Sequence, residues 1–306
     1  MQRLLFITLS NIGDVVLTTP ALLALHQAWP DAVVDIVADR RSSDVLKHCP
    51  FVGEVLHRDK GAGIKAHWSL LKQLRHRRYD VVLDLRTDFL PWLLRANQRS
   101  AKWCAPRVSG HAVQRHLAAL LPILPTLQKT PDPQVWTNPA AEEWAGLQLR
   151  PLTGRVLAIA PGANWAPKCW PLASYITLAQ RLTPEFDALV IFGSPAEAEA
   201  AQAIESAVAL PVLNLAGKTT LPQAVAALSY CHAFVGNDSG LGHLAAACRV
   251  PTLSIFGPGH PARYRPWGSL AAVICAPAAD LNQLPVNLVA QGLRDHLRQL
   301  GRLSTR

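Results

Sequence analysis

The sequence predicts an α/β protein made of two doubly wound parallel-sheet domains with a ligand cleft between them. Three observations carry this. Short apolar runs alternate with longer amphipathic, helix-like segments, the signature of buried parallel strands covered by helices on both faces. The alternation breaks off at the proline-rich stretch LPILPTLQKTPDPQVWTNP and begins again at RVLAIAPG. At 306 residues, with 50% hydrophobic and 17% charged residues, the length favours two domains over one and the composition fills a large core. The expected domains are residues 1–150 and 151–306, with the linker near 123–153.

In the first series RLLFITL reads as a strand, SNIGD as a polar turn and VVLTTPALLALHQAWP as a helix, followed by the strands AVVDIVAD and YDVVLDLR. In the second, RVLAIAPG, DALVIFGS, LPVLNLAG, HAFVGND and VPTLSIFGPG are strands, separated by helices such as WPLASYITLAQRL and PAEAEAAQAIESAV. The last segment, 281–306, reads as an amphipathic helix that could pack back onto the N-terminal domain. In such sheets ligands sit beyond the carboxyl ends of the strands.

No run reaches the ~18 apolar residues that span a bilayer, and MQRLLFITLSNIGD offers no small-residue cleavage site, so a cytoplasmic protein is expected. The six cysteines are dispersed, without a C-x-x-C pair or clustered histidines. They are expected to be reduced and mostly buried, with no metal site and no disulfide framework. Residues 58–115 hold 13 Lys and Arg against 4 Asp and Glu, an excess equal to the whole net charge of +9. Such a block suits a phosphorylated glycan, an anionic membrane surface or nucleic acid, or is simply a solvated basic face. No nucleic-acid module signature accompanies it, so nucleic acid is not expected as a partner. The SNIGD turn contains neither G-x-G-x-x-G nor the P-loop pattern, which disfavours dinucleotide oxidoreductases and P-loop ATPases, and no G-x-S-x-G nucleophile elbow appears.

Four stretches place polar chemistry at strand ends. In FVGNDSGLGHLAAACRVPTLSIFGPG a strand ending at Val235 hands over to a helix starting near Gly240, whose free N–H groups suit phosphate oxygens. Gly240, Leu241 and Gly242 form its first turn. Asp238 or Ser239 either caps that helix or contacts a ligand, and His243 either orients a phosphate or is a core histidine. In PGANWAPKCWP, Lys168 follows the Gly162–Ala163–Asn164 turn as a charge for a leaving phosphate, or as a solvated lysine. In FGSPAEAEA, Glu197 lies in a first helical turn, where it serves the helix or accepts from ribose hydroxyls. In SNIGDVV, Asp14 follows Gly13 and is either a general base for an acceptor hydroxyl or a helix cap.

LSNIGDVVLTTPALLAL, APGANWAPKCWP and FVGNDSGLGHLAAACRVPTLSIFGP, in this order over roughly residues 3–270, resemble glycosyltransferase family 9, the bacterial heptosyltransferases of the lipopolysaccharide inner core. The resemblance implies a GT-B fold: a Rossmann-like N-terminal domain for the acceptor, a Rossmann-like C-terminal domain for ADP-heptose, and inverting transfer with no metal or other cofactor. By position, Asp14 then looks like the base, and Lys168, the Gly240 helix terminus and His243 like the diphosphate clamp. Asp238 matches an acidic residue near the donor and Glu197 a ribose contact; Gly162, Asn164, Ser239 and Leu241 fall in the same donor motifs. The implied acceptor is an anionic lipid A–Kdo core at the inner face of the inner membrane. That gives the basic block a purpose and makes Gly13, Arg58, Lys60 and Lys65 candidate acceptor contacts. Asn164 stands where a hydroxyl residue is common in the family, and Cys169 where a larger polar residue is usual. Other readings are a relative using another nucleotide sugar or acceptor, a sugar-nucleotide epimerase on a two-domain fold, or a noncatalytic glycan-binding protein.

Overall fold

A computed structural model of the chain describes residues 2–303, apart from 60, 62, 88, 107 and 127–129. The chain divides into two compact units, 1–136 and 137–306. The boundary lies earlier than the 150/151 read from the sequence, because the helix Pro139–Leu149 packs against Leu221–Leu228 in the second unit.

The first unit holds β1 (Arg3–Ile7), α1 (Ile12–Ala28), β2 (Val33–Ala38), β3 (Val52–His57), α2 (Ile64–Arg75), β4 (Arg78–Asp84), β5 (Arg95–Ala101) and α3 (Ala112–Ala118). Its five strands are all parallel, in the order β3-β2-β1-β4-β5. β1, β2 and β4 are buried along most of their length; their sequences are largely apolar, with the buried Asp35 inside β2 and Asp84 at the end of β4 as exceptions. α1 runs straight through Pro20 and is buried nearly all round. A proline lacks the N–H that would bond the carbonyl four residues back, here Val16. The Thr19 hydroxyl donates to that carbonyl instead, at 2.8 Å.

One buried carboxylate braces this sheet. Asp35 on β2 accepts from Arg3 Nη1 and Arg77 Nη1, both at 2.8 Å, and from the Glu54 N–H at 3.0 Å. The pairs are favourable only because every oxygen of a fully buried Asp35 is satisfied.

The second unit holds α4 (Pro139–Leu149), β6 (Val156–Ala160), α5 (Leu172–Arg181), β7 (Ala188–Ile191), α6 (Ala198–Ala207), β8 (Val212–Asn214), α7 (Leu221–Leu228), β9 (Ala233–Asn237), α8 (Gly240–Ala247), β10 (Thr252–Phe256), α9 (Pro261–Tyr264), β11 (Ala271–Cys275) and α10 (Val286–Gln299). Its six parallel strands run β11-β10-β9-β6-β7-β8. Counted from β6, this is the 3-2-1-4-5-6 order of dinucleotide-binding sheets read from the far edge. The core is built on Trp170, Tyr175, Leu189, Val235 and Ile255. α10 closes it, packing on α5, β10 and β11 of its own unit.

All six cysteines are free thiols, but only Cys49 and Cys231 are buried, against the expectation that most would be. Cys275 is exposed because it ends the edge strand β11. Among the described residues no helix is long and apolar enough to cross a membrane.

Candidate functional site

In each sheet the strand order reverses once, between β1 and β4 in the first unit and between β6 and β9 in the second. Loops leaving two such neighbours turn to opposite faces and open a crevice at the carboxyl edge. Three of the four motifs singled out in the sequence fall at these two places; the fourth, FGSPAEAEA, follows β7, the neighbour of β6.

In the second unit the loop after β6 carries Gly162 and Asn164 and ends in a short turn, Ala166–Lys168, while β9 runs two residues beyond Val235 and leads through Asp238 and Ser239 into α8. Lys168 Nζ donates to Asp238 Oδ2 at 2.6 Å, with the side chains 29% and 8% exposed. Lys168 is therefore not a solvated lysine, and Asp238 is not a helix cap. An ammonium has three donors, so the pairing aims Lys168 and leaves it able to meet an anion. Gly259 closes over this pair, since a Cβ there would stand 2.7 Å from Asp238 Oδ2.

Ser239 occupies the position before α8 but makes no side-chain cap. Its Oγ is buried with no hydrogen-bond partner among the described residues. The first-turn N–H groups of Gly240, Leu241 and Gly242 thus meet no capping side chain and carry the positive end of the helix dipole. His243 is buried one turn in. Gly242 lies against β10, where a Cβ would stand 3.0 Å from Ser254 Oγ.

Glu197 is held by the helix start. Its carboxylate accepts from the Ser194 N–H while Ser194 Oγ accepts from the Ala196 N–H at 3.3 Å, a reciprocal cap. The same side chain covers Gly162, where a Cβ would overlap Glu197 Cγ and Cδ. Two donor candidates thus meet, with one carboxylate oxygen committed to the cap.

Asn237 escaped the sequence reading. It is fully buried; its Oδ1 accepts from the Trp170 N–H at 3.1 Å and the Tyr175 hydroxyl at 2.9 Å, and its Nδ2 donates to the Pro161 carbonyl at 2.6 Å. It clamps both ends of the loop that carries Lys168. The available signal was the Gly-Asn-Asp run itself, in which an amide before an acidic residue ends an otherwise apolar strand.

In the first unit Asp14 is the third residue of α1, at the end of the β1 loop. Neither it nor Asn11 caps the helix through its side chain; the Asn11 amide donates to Asp14 Oδ2 at 2.9 Å and orients it. Gly13 precedes it in the first helical turn. Across the reversal, at the end of β4, Asp84 is fully buried and accepts from the backbone of Arg86 and Thr87 and from the Thr87 hydroxyl. Burial pushes its carboxyl above the ordinary value, opposed by those donors.

Arg86, a residue the sequence reading passed over, donates to the Arg58 carbonyl at 2.5 Å and lies 3.8 Å from Asp39 Oδ2. Burial, and then the Arg58 charge, lower its pKa from the ordinary arginine value. Arg58, Arg86 and the Arg41–Asp39 pair at 2.9 Å together line the carboxyl ends of β2, β3 and β4. Lys65 is exposed in the first turn of α2, away from those hydrogen bonds, and Lys60 lies outside the described residues.

The family model described as glycosyltransferase family 9 (heptosyltransferase) matches residues 94–285. Lipopolysaccharide heptosyltransferase 2 of Escherichia coli K12 is 30% identical over 309 aligned residues, covering 89% of this chain and 88% of the relative. Lipopolysaccharide heptosyltransferase 3 of the same strain is 28% identical, covering 83% and 82%. The solved structure of E. coli ADP-heptose lipopolysaccharide heptosyltransferase II superposes with a TM-score of 0.80 at 27% identity, covering 98% of this chain and 100% of that one. The two parallel sheets are accordingly a GT-B-like fold. With the family model matched over most of its length and a relative of this identity along nearly all of it, the chain belongs to glycosyltransferase family 9 and is a heptosyltransferase-like enzyme.

Proposed function

We propose that the protein is an inverting, metal-independent glycosyltransferase that moves heptose from ADP-heptose to the Kdo- or heptose-bearing lipid A core at the inner face of the inner membrane. The observation that carries this reading is the Lys168–Asp238 pair set just before the uncapped N-terminus of α8. A lysine held in place beside unbonded N–H groups at a sheet reversal is what a leaving diphosphate requires. The donor is argued from the relatives, since the solved heptosyltransferase II is named for ADP-heptose. The acceptor is argued from their lipopolysaccharide names and from the basic carboxyl edge of the first sheet.

The roles are divided between the two units. Asp14 takes the proton of an acceptor hydroxyl as its oxygen forms a bond to the anomeric carbon. The bond from that carbon to the diphosphate breaks on the opposite face, and ADP departs. A carboxylate serves as the base because the hydroxyl grows acidic only as the new bond forms. Lys168, Gly240 and its neighbours receive the charge on the diphosphate, each contact worth roughly 2–4 kcal/mol in the transition state. Glu197 and Asn164 hold the nucleoside of the donor, and Arg58 and Arg86 meet the anionic groups of the acceptor.

The test is nucleotide release from a panel of nucleotide sugars, with and without deacylated Kdo-containing acceptors, in EDTA. Release of ADP only with ADP-heptose plus acceptor, unchanged by EDTA, is expected. Release only from a different sugar nucleotide overturns the donor assignment, and loss of turnover in EDTA overturns the metal-independent mechanism.

A further inference from the structure

Among the described residues twelve large hydrophobic side chains are exposed, and seven of them fall between 64 and 108, inside the block that carries the whole net charge. A merely solvated basic face would not gather them. Their placement is contiguous. α2 buries Leu70 and Leu74 against its sheet and turns outward a face bearing Ile64 and Trp68, 73% and 64% exposed, with Lys72 and Arg75. The turn Leu90–Leu93 packs against α2, follows Phe89, 74% exposed, and carries Trp92. Trp92 stacks on Trp103 after β5, with ring centroids 5.0 Å apart.

Between α2 and the start of the edge strand β5 lies an open groove of about 740 Å³, with Trp68 and Leu71 as its apolar lining and Lys72, Arg75 and Arg95 as its cations. We infer that this face docks on an anionic lipid bilayer: Trp68, Ile64 and Phe89 enter the headgroup layer, and Lys72, Arg75 and Arg95 meet lipid phosphates. Indole rings settle at the interface between water and acyl chains. An amphipathic helix with basic residues beside its apolar ones binds best where the lipids are anionic. A second copy does not fit this face, because a two-fold contact would set the same cations against each other.

The inference deepens the transfer reading by naming where the protein meets a lipid-borne acceptor, and it rests on that reading only for its purpose. Vesicle binding needs no sugar nucleotide, so it can fail or succeed separately from turnover. The full chain is sedimented with phosphatidylcholine vesicles and with equimolar phosphatidylcholine–phosphatidylglycerol vesicles, at low and high salt. Binding to the anionic vesicles at least about tenfold above the neutral ones, falling with salt, is expected.

Ile64→Ser with Trp68→Ser, and separately Lys72→Glu with Arg75→Glu, each lower binding about tenfold or more, at roughly fivefold per basic side chain. Leu147→Ser with Leu288→Ser, exposed apolar residues elsewhere, leaves it unchanged. Circular dichroism and thermal melts establish that every variant is folded. Equal binding to neutral and anionic vesicles, no loss in the two patch variants, concentration-dependent dimerisation through this face, or tighter binding to a single-stranded oligonucleotide than to vesicles would each overturn the inference.

Discussion

Replacing Asn237 by alanine tests whether the loop bearing Lys168 is held by this one amide. The change strips the acceptor from the Trp170 N–H and the Tyr175 hydroxyl and the donor from the Pro161 carbonyl, all in a region without solvent access. A buried polar group left unsatisfied costs about 1–3 kcal/mol. The space vacated by the amide can take a water that serves one or two of the three, so the sum is about 3–5 kcal/mol.

Urea unfolding followed by tryptophan fluorescence reads this loss, because Trp170 is buried beside Tyr175 with its rings 5.1 Å apart. With a slope of roughly 2 kcal/mol per molar urea, the midpoint of the second unit falls by about 1.5–2.5 M. The first unit holds none of the three partners, so its own transition stays where it was. A midpoint shift below about 0.5 M would refute the argument, since it would mean the three groups find equivalent partners without the amide.

Four other outcomes follow from the same geometry. Asp14→Asn lowers kcat by about 10²–10⁴ and leaves ADP binding near normal, read by steady-state kinetics and calorimetry; retention of most activity removes Asp14 as the base. Lys168→Met lowers kcat by about 10²–10³ and also weakens ADP, because it deletes a cation that serves both ground and transition states and leaves Asp238 unpaired. Asp35→Asn destabilises the first unit by about 2–4 kcal/mol in chemical unfolding, less than for a fully buried triad because the side chains of Arg3 and Arg77 are 38% and 35% exposed.

The fourth concerns pH. His232 Nδ1 accepts from the Val156 N–H at 3.1 Å, and burial, then the Arg155 and Arg302 charges, lower its pKa. A histidine whose pKa is lowered by folding is protonated more readily in the unfolded chain. Its contribution is therefore present above the ordinary value of 6.5 and is lost as pH falls through that value toward the lowered one. His232→Gln should flatten the fall in unfolding midpoint between about pH 7.5 and 5; an unchanged slope would place the proton uptake elsewhere.

The apolar runs marked eight of the eleven strands among the described residues, because a strand buried on both faces is largely hydrophobic, as RLLFI and VLAIA are. Three strands escaped that reading. β5, RANQRSA, lies on a sheet edge with five of its seven side chains at least partly exposed, so no apolar run marks it; β11 is an edge strand of the other sheet with no fully buried residue, and β3, VGEVLH, is the first sheet's other edge, buries only Leu56 and slips in register against β2. The domain boundary slipped for a related reason: α4 looks like the end of the first series in chain order, and only its packing on α7 assigns it to the second.

For the site, the glycine-rich strand ends and the acidic, basic and hydroxyl residues beside them were legible one by one, since turns into helices expose N–H groups wherever they occur. Their alternatives were not. Whether Lys168 is solvated or paired, and whether Asp238 caps a helix, depends on a contact between residues 70 apart in sequence. That contact exists because β6 and β9 are neighbours at the reversal of strand order, a relation no local pattern encodes. The same holds for Asn237, an ordinary polar residue in a motif until three partners from two distant segments converge on it. Local sequence thus determined the buried central strands and which residue types stand at their ends. Pairing of distant strands alone decided which of those residues meet, because charge pairing and burial are properties of position in space and not of position in the chain.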